Sequence, residues 1–369
     1  MPVRLKPLAR QTILITGASS GIGLATARMA ASRGAAVLLV ARDEESLRDA
    51  VEGIRAAGGR AAYHVADVAD RAALEAAADK AEAEFGGLDS WVNDAGASAY
   101  GTLEETPIED QRRLFETNYW GVVNGSLIAA KRLRARGGAI VNIGSVLSDR
   151  SVPYQGTYSA TKHAVKAFTD SLRMELEIAR APISVTLIKP SAMGTPFQEH
   201  ARIEMDAEGV RVPPPAYDPR LAARAICHAC EHPRRDLVIG GADAMLGLAG
   251  AMFPRLTDFA MEAFGRPAQV TGEQGRPEMR DNLEEGRPGG TVQTSLSGQP
   301  QRKTSLLLEA QLHPVATAAM LAGMGALALG AIAARQRMQA GSRSARRPLG
   351  RLAPRPLRSG HAARRHALF

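Results

Sequence analysis

The stretch from Arg335 to Phe369 holds no Asp, no Glu and no Lys, but ten Arg. Take those ten from the 46 basic residues and 36 remain, against 38 acidic ones. The formal charge of +8 therefore belongs to a tail, and the high isoelectric point does not describe the surface of the body. Cysteine is almost missing as well. The two present, Cys227 and Cys230, lie in Cys227-His228-Ala229-Cys230, with His232 nearby. A zinc or redox site would call for a second ligand pair, and none follows. Positions i and i+3 share a helix face, so two reduced small residues on a helix in a reducing cytosol are expected, and no metal. Aromatics are scarce at 4%, yet 45% of the residues are apolar. That is enough for a sizeable core and excludes wholesale disorder.

The chain of 369 residues has room for one large domain or two ordinary ones. From residue 11 to about 240 short apolar runs alternate with amphipathic stretches. The runs fall at 11–16, 36–41, 61–65, 90–93, 139–143, 183–188 and 237–239. Helical patterns open after the glycine-rich turn at 17–23 and follow at 44–57, 70–85, 108–135, 157–179 and 219–231, with Asp43 as an N-cap. Near-continuous apolar strands between such helices imply a parallel sheet covered on both faces. Right-handed crossovers then give an α/β, Rossmann-type doubly wound sheet. The expected organisation is this domain at 1–265, a flexible linker rich in Gly, Pro, Gln, Glu and Arg at 266–312, an apolar helix at 313–335, and a disordered Arg-rich tail at 336–369.

Arg4, Lys6 and Arg10 precede an apolar stretch from Ile13, in the manner of a secretion signal. The same stretch runs into Thr16-Gly17-Ala18-Ser19-Ser20-Gly21-Ile22-Gly23, which explains it better, so a cleaved signal is not expected. Glycines between a strand and a helix let the backbone turn tightly and approach a pyrophosphate without a clashing Cβ. The helix N-terminus offers unpaired N–H groups and partial positive charge to the phosphates. The alternative is a tight strand–helix turn that binds nothing.

A second pattern is Tyr158-Ser159-Ala160-Thr161-Lys162 in a predicted helix. Residues i and i+4 share a face, so the phenol and the ammonium approach one cavity. A phenol titrates near 10, too high for efficient proton transfer at neutrality, and a neighbouring cation lowers it. Ser145 stands 13 residues earlier, just after the fifth strand; Ser148 and Ser151 are rivals at poorer spacing.

Together these motifs resemble the classical short-chain dehydrogenase/reductase family from about residue 10 to 240. The octapeptide matches its TGxxxGIG signature, Tyr158 and Lys162 its YxxxK pair, Ser145 its catalytic serine and Asn118 its helix asparagine. Asp67 and Val68 match the adenine contact, Asn93, Ala95 and Gly96 the NNAG loop, and Pro190 and Thr195 the PGxxxT element. Asp94 and Ser191 depart from the second Asn and the Gly of those last two. The resemblance implies hydride transfer between nicotinamide C4 and a carbonyl or secondary alcohol. In that chemistry Tyr158 moves the proton, Ser145 polarises the oxygen, Lys162 tunes the phenol and anchors the ribose, and Asn118 holds a water that links the lysine to solvent. The implied cofactor contacts are Gly17, Ser19, Ser20, Gly21, Ile22, Gly23, Arg42, Asp67, Val68, Asn93, Ala95, Gly96, Tyr158, Lys162, Pro190 and Thr195. An NAD site usually ends strand two in a carboxylate; here it ends in Arg42, which suits the 2′-phosphate of NADP(H). Asp43 on the ribose is the alternative.

The segment between Phe197 and Tyr217 is expected to form a substrate lid, and Met193, Phe197, Met205, Val210 and Val212 point to an apolar ligand. Residues 315–334 carry no charge and as a helix span about 30 Å, the thickness of a hydrocarbon core. Insertion in a membrane is expected, with packing against the protein as the alternative. The Arg tail favours the cytoplasmic side, where NADPH also is, and one crossing cannot leave both flanks there. The expected partners are an apolar small molecule, a second copy of the chain and a lipid surface. No specific nucleic acid is expected, since no aromatic or folded module accompanies the tail.

Overall fold

The computed structural model describes residues 3–274, 276–296 and 300–344. Seven parallel strands form the central sheet: β1 (Thr12–Thr16), β2 (Ala36–Ala41), β3 (Arg60–Val65), β4 (Ser90–Asn93), β5 (Gly138–Ile143), β6 (Ile183–Pro190) and β7 (Asp236–Ile239). Their order is β7-β6-β5-β4-β1-β2-β3, so the chain reverses direction across the sheet between β1 and β4. That reversal leaves a crevice at the carboxyl ends of the strands, where doubly wound sheets bind ligands.

Alternation along the strands decides which face each helix covers. Ile13, Ile15, Val37 and Leu39 point into one core, with α1 (Gly21–Ser32), α2 (Glu44–Ala56) and α7 (Pro219–Glu231) packed upon it. Leu14, Leu38 and Val40 point the other way, toward α3 (Arg71–Phe85), α5 (Gly121–Leu133) and α6 (Gly156–Ile178). Asp43 caps α2 by accepting from the amide of Ser46 at 2.9 Å, as its position before the apolar pattern predicts. Cys227 and Cys230 are buried in the first core, where burial pushes both thiols up, Cys227 to about 12.

The long helix expected at 108–135 is three pieces: α4 (Ile108–Phe115), a π-helical turn at Glu116–Trp120, and α5. The extra residue in that turn re-aims Asn118, and periodicity alone cannot reveal a one-residue insertion.

The stretch 266–312 is not a free linker. Its first residues complete α9 (Pro254–Gln269), which follows α8 (Gly241–Met252), and its last form α10 (Leu306–Leu312) against β7 and α7. Residues 1–313 form one compact unit. Leu283, Leu296 and Leu308 are buried. Arg202 bonds Asp281 at 3.1 and 2.9 Å while also gripping Asp110, and Gln311 accepts from the Val238 amide at 3.0 Å. Isolated long-range polar contacts hold this segment, and they leave no periodic trace in a sequence.

The second unit begins at Pro314 with α11 (Pro314–Ser344). Its span Pro314–Arg335 is long and apolar enough to cross a membrane, and none of it is buried. The Arg-rich tail beyond residue 344 lies outside the described residues.

Candidate active site

The glycine loop leaves β1 and enters α1 at the crevice. Gly17 takes φ +69° and presses on the next strand's loop: a Cβ there would stand 2.8 Å from Ala95 Cα. A Cβ on Gly23 would stand 2.4 Å from Gly17 O. Ser20, the N-cap of α1, makes no side-chain cap; the Gly21 amide instead donates to Thr291 O at 2.9 Å and the Gly23 amide to the Asp94 carboxylate. Thr16 Oγ1 accepts from the amides of Asp94 and Ala95 at 3.1 and 3.2 Å and fixes the β4 loop beside the glycines.

A cavity of about 420 Å³ runs from this loop to Tyr158, within the roughly 300–1,000 Å³ usual for ligand pockets. Gly17, Ser19, Ser20, Gly21, Ile22, Arg42, Asp67, Val68, Ala95, Gly96, Ser145, Tyr158, Lys162, Pro190 and Thr195 all line it. Residues from seven separate segments of the chain thus share one cleft. Asn93, Gly23 and Asn118, expected at the same site, stand behind its wall. Asn93 is buried in a network, accepting from Trp91 Nε1 at 2.7 Å and donating to Asn142 Oδ1 at 2.8 Å and Ser126 Oγ at 3.1 Å. Asn118 donates to Ala97 O at 3.0 Å and Thr161 Oγ1 at 3.2 Å and accepts from the Ala97 amide at 2.8 Å. It therefore ties the β4 loop to α6.

Tyr158 and Lys162 sit one turn apart on α6, both buried, with Lys162 Nζ 5.7 Å from the Tyr158 ring centroid. The Tyr158 hydroxyl hydrogen-bonds Ser145, whose Oγ also accepts from the Leu147 amide at 3.1 Å. Ser148 is a buried cap, its Oγ accepting from the Ser145 amide at 3.1 Å. Burial pushes Tyr158 up to about 12 despite the Ser145 bond, and the Asp94 carboxylate adds to the rise. The Lys162 ammonium donates to Ile143 O at 2.9 Å. Burial pulls it down to about 8, and Asp94 opposes that fall. Asp94 itself is pushed up to about 7 by burial, against the pull of Lys162 and the Gly23 amide. The departure from Asn at this position thus places a titratable group against the lysine.

Ser191, the other departure, fits because Gly240 faces it at φ +96°; a Cβ there would lie 2.6 Å from Ser191 Cβ. A Cβ on Gly21 would stand 3.4 Å from Thr195 Cβ, so the β6 loop lies beside the glycine loop.

Past Tyr158 the cavity turns apolar. Met193 and Phe197 line it, and the Phe197 ring centroid lies 5.7 Å from that of Tyr158. Val210 is buried in a cluster with Tyr100, Met205 packs against that cluster, and Val212 is buried as well; none of the three lines the cavity. Leu246, Met261, Phe264 and Ala268, from the hairpin of α8 and α9, take that place. No motif marks them; only the fold-back of the hairpin brings them there.

The residues present fit a nicotinamide dinucleotide. A positive-φ glycine cradle and a helix start without a side-chain cap stand at one end, a buried tyrosine–serine pair at the other, and a continuous cleft joins them. Comparison with known proteins agrees. The family model "short chain dehydrogenase" matches residues 11–206. The oxidoreductase YxnA of Bacillus subtilis, itself uncharacterized, is 40% identical over 328 residues, 88% of this chain and 92% of its own length. An alcohol dehydrogenase of Thermococcus sibiricus, solved with 5-hydroxy-NADP, has a TM-score of 0.55 at 27% identity, covering 62% of this chain and 95% of that one. A short-chain dehydrogenase/reductase of Burkholderia phymatum, solved with NAD, has a TM-score of 0.58 at 25% identity, covering 72% and 98%. The chain belongs to the short-chain dehydrogenase/reductase family and is an oxidoreductase.

Proposed function

We propose that this protein reduces the carbonyl group of an apolar molecule at the expense of NADPH. One observation carries the reading: the hydrogen-bonded Tyr158 and Ser145 face the apolar end of the cavity whose other end is the glycine loop. The dinucleotide supplies the hydride when bound. Ser145 Oγ donates to the substrate oxygen, and Tyr158 Oη delivers the proton to it as the carbon becomes tetrahedral. A phenol held up at about 12 is protonated at neutral pH, which suits the acid role of reduction better than the base role of oxidation. Lys162 and Tyr158 would hold the nicotinamide ribose, and Gly17, Ser19, Ser20, Gly21 and Ile22 the pyrophosphate. Asn118 and Gly23 shape this site from behind, and Asn93 braces the sheet beneath it. Val146, Leu147, Met193, Phe197, Met261 and Phe264 would exclude water from the reacting carbon.

Arg42 supports NADP(H) over NAD(H). It lies at the end of β2 on the cavity wall, while Asp43 is engaged in capping α2. A charge-assisted bond from guanidinium to phosphate contributes about 1.5–3 kcal/mol, or roughly 10- to 100-fold. Arg42→Ala is therefore expected to cut the ratio of NADPH to NADH affinity by that factor, read from nicotinamide fluorescence on binding. An unchanged ratio would assign cofactor choice to another residue.

Reduction requires Lys162 as the ammonium. The rate is expected to fall as pH rises through about 8, the lysine's depressed value. Asp94→Asn removes a carboxylate that holds Lys162 charged, so the alkaline limb should move to lower pH by about a unit. A pH–rate profile with an unmoved limb would dismiss Asp94 from this role.

The 22-residue span of α11, apolar and without a buried residue, supports attachment of this cytoplasmic enzyme to a bilayer. An apolar substrate cavity is consistent with such a location. The full chain should sediment with membranes, and a chain ending at His313 should not; equal solubility of the two would refute attachment.

A further inference from the structure

The segment 281–295 crosses the dinucleotide end of the cleft, and its carbonyls take the two kinds of donor a phosphate would use. The Gly21 amide, first in α1, donates to Thr291 O at 2.9 Å. The Arg42 guanidinium donates to Leu283 O at 3.2 Å, to Glu284 O at 2.9 Å and to Asn282 O. The strap also donates back. The Gly289 amide reaches Ser46 Oγ at 2.9 Å, and the Gly290 amide reaches Ser19 O at 2.9 Å. Glycine is required for so close an approach: a Cβ on Gly286 would lie 2.9 Å from Arg42 Cβ, and one on Gly289 2.9 Å from Ser20 Cβ.

We propose that this strap is a displaceable stand-in for the cofactor's phosphates, which must lift from Gly21 and Arg42 before the dinucleotide binds, and whose hold sets cofactor affinity. The inference rests on the reading of the cleft as an NADP(H) site. A carbonyl oxygen 2.9 Å from the Gly21 amide occupies the place of a phosphate oxygen on the same N–H, so the two exclude each other. The strap is anchored outside the contested patch and imperfectly satisfied within it. Asp281 is bound by Arg202, and Thr294 Oγ1 and the Ser295 amide bond Glu199 Oε1, both at 2.8 Å. Between these anchors Asn282 Oδ1 and Thr291 Oγ1 are buried without a hydrogen-bond partner. Buried polar atoms left unpaired weaken the closed arrangement relative to one in which water reaches them. Because the anchors persist, lifting is a local detachment of the middle of the strap.

Hydrogen exchange on the full chain with and without NADPH tests this, alongside NADPH titration of Gly289→Val and Gly286→Val. The amides of Gly289 and Gly290 are expected to exchange faster when NADPH is bound, while those of the β-sheet do not. Each valine variant forces its Cβ against Ser20 or Arg42 and loosens the strap. Its affinity for NADPH should rise, on the order of tenfold if the open fraction rises tenfold. Slower or unchanged exchange at Gly289 and Gly290 with NADPH bound, or weaker binding by both variants, would make the strap a fixed wall and overturn the proposal while leaving the NADP(H) reading intact. Failure of the wild type and both variants to bind either NADPH or NADH would instead remove the dinucleotide reading, and the strap proposal with it.

Discussion

Tyr158→Phe should abolish NADPH-dependent carbonyl reduction while leaving NADPH affinity within about twofold. A positioned general acid contributes about 10²–10⁴ in rate, and here the hydroxyl is hydrogen-bonded to Ser145. The substitution keeps the buried ring and its contact with Phe197, so the fold and the apolar wall survive. Lys162 keeps its bond to Ile143 O, which does not involve the phenol. A drop in kcat with unchanged melting temperature and unchanged NADPH titration is the expected pattern. Retained turnover would sink the assignment of Tyr158, and a loss confined to NADPH binding would make the hydroxyl a ribose contact alone.

Gly23→Ala should be nearly as damaging, by a different route. The added methyl would lie 2.4 Å from Gly17 O, 2.8 Å from Gly17 C and 2.9 Å from Asp94 Oδ2. Two of those atoms are backbone, so the glycine loop itself has to move. Overpacking of this kind costs about 1–3 kcal/mol of stability. The loop that moves also carries the amides proposed to hold the pyrophosphate, so NADPH affinity should fall on the order of 100-fold, about 2.7 kcal/mol. A thermal melt and an NADPH titration read the two effects separately. An alanine variant that binds NADPH as tightly as the wild type would show that the loop's shape is not what binding requires. Gly53, exposed inside α2 with nothing within 4 Å of its Cβ position, is the control: alanine there should leave NADPH affinity unchanged and raise stability by about 0.5–1 kcal/mol, since glycine is a poor helix former.

The same contrast separates what each level of structure decides. Local pattern was enough for the sheet, because a buried parallel strand must be apolar on both faces, and 36–41 or 139–143 can hardly be anything else. It was enough for the turn at 17–23, since a backbone at φ +69° between strand and helix requires glycine. It also placed Tyr158 and Lys162 on one helix face by their spacing. Asp43 as the cap of α2 follows from one side chain and the next three amides.

Contacts between distant residues were beyond that reach. The π turn at Glu116–Trp120 hangs on Asn118 gripping Ala97 and Thr161, partners 21 and 43 residues away. The effect of Asp94 on Lys162 depends on their shared burial, which neither motif reports. The apolar wall of the cavity came partly from α8 and α9 and not from Met205, Val210 and Val212, because hydrophobicity does not say which core a residue joins. The segment 266–312 was opaque for a related reason. Its Gly, Pro and charged residues bury few apolar side chains, so they leave no periodicity, yet Arg42, Arg113 and Arg202 reach across the molecule to hold it. The sequence by itself determined the sheet, the glycine turn and the tyrosine–lysine pair, because short-range sterics and burial on a strand or helix act within a few residues. Only the tertiary structure decided what lies over Gly21 and Arg42, because hydrogen bonds between segments about 240 to 270 residues apart exist only once the chain has closed on itself.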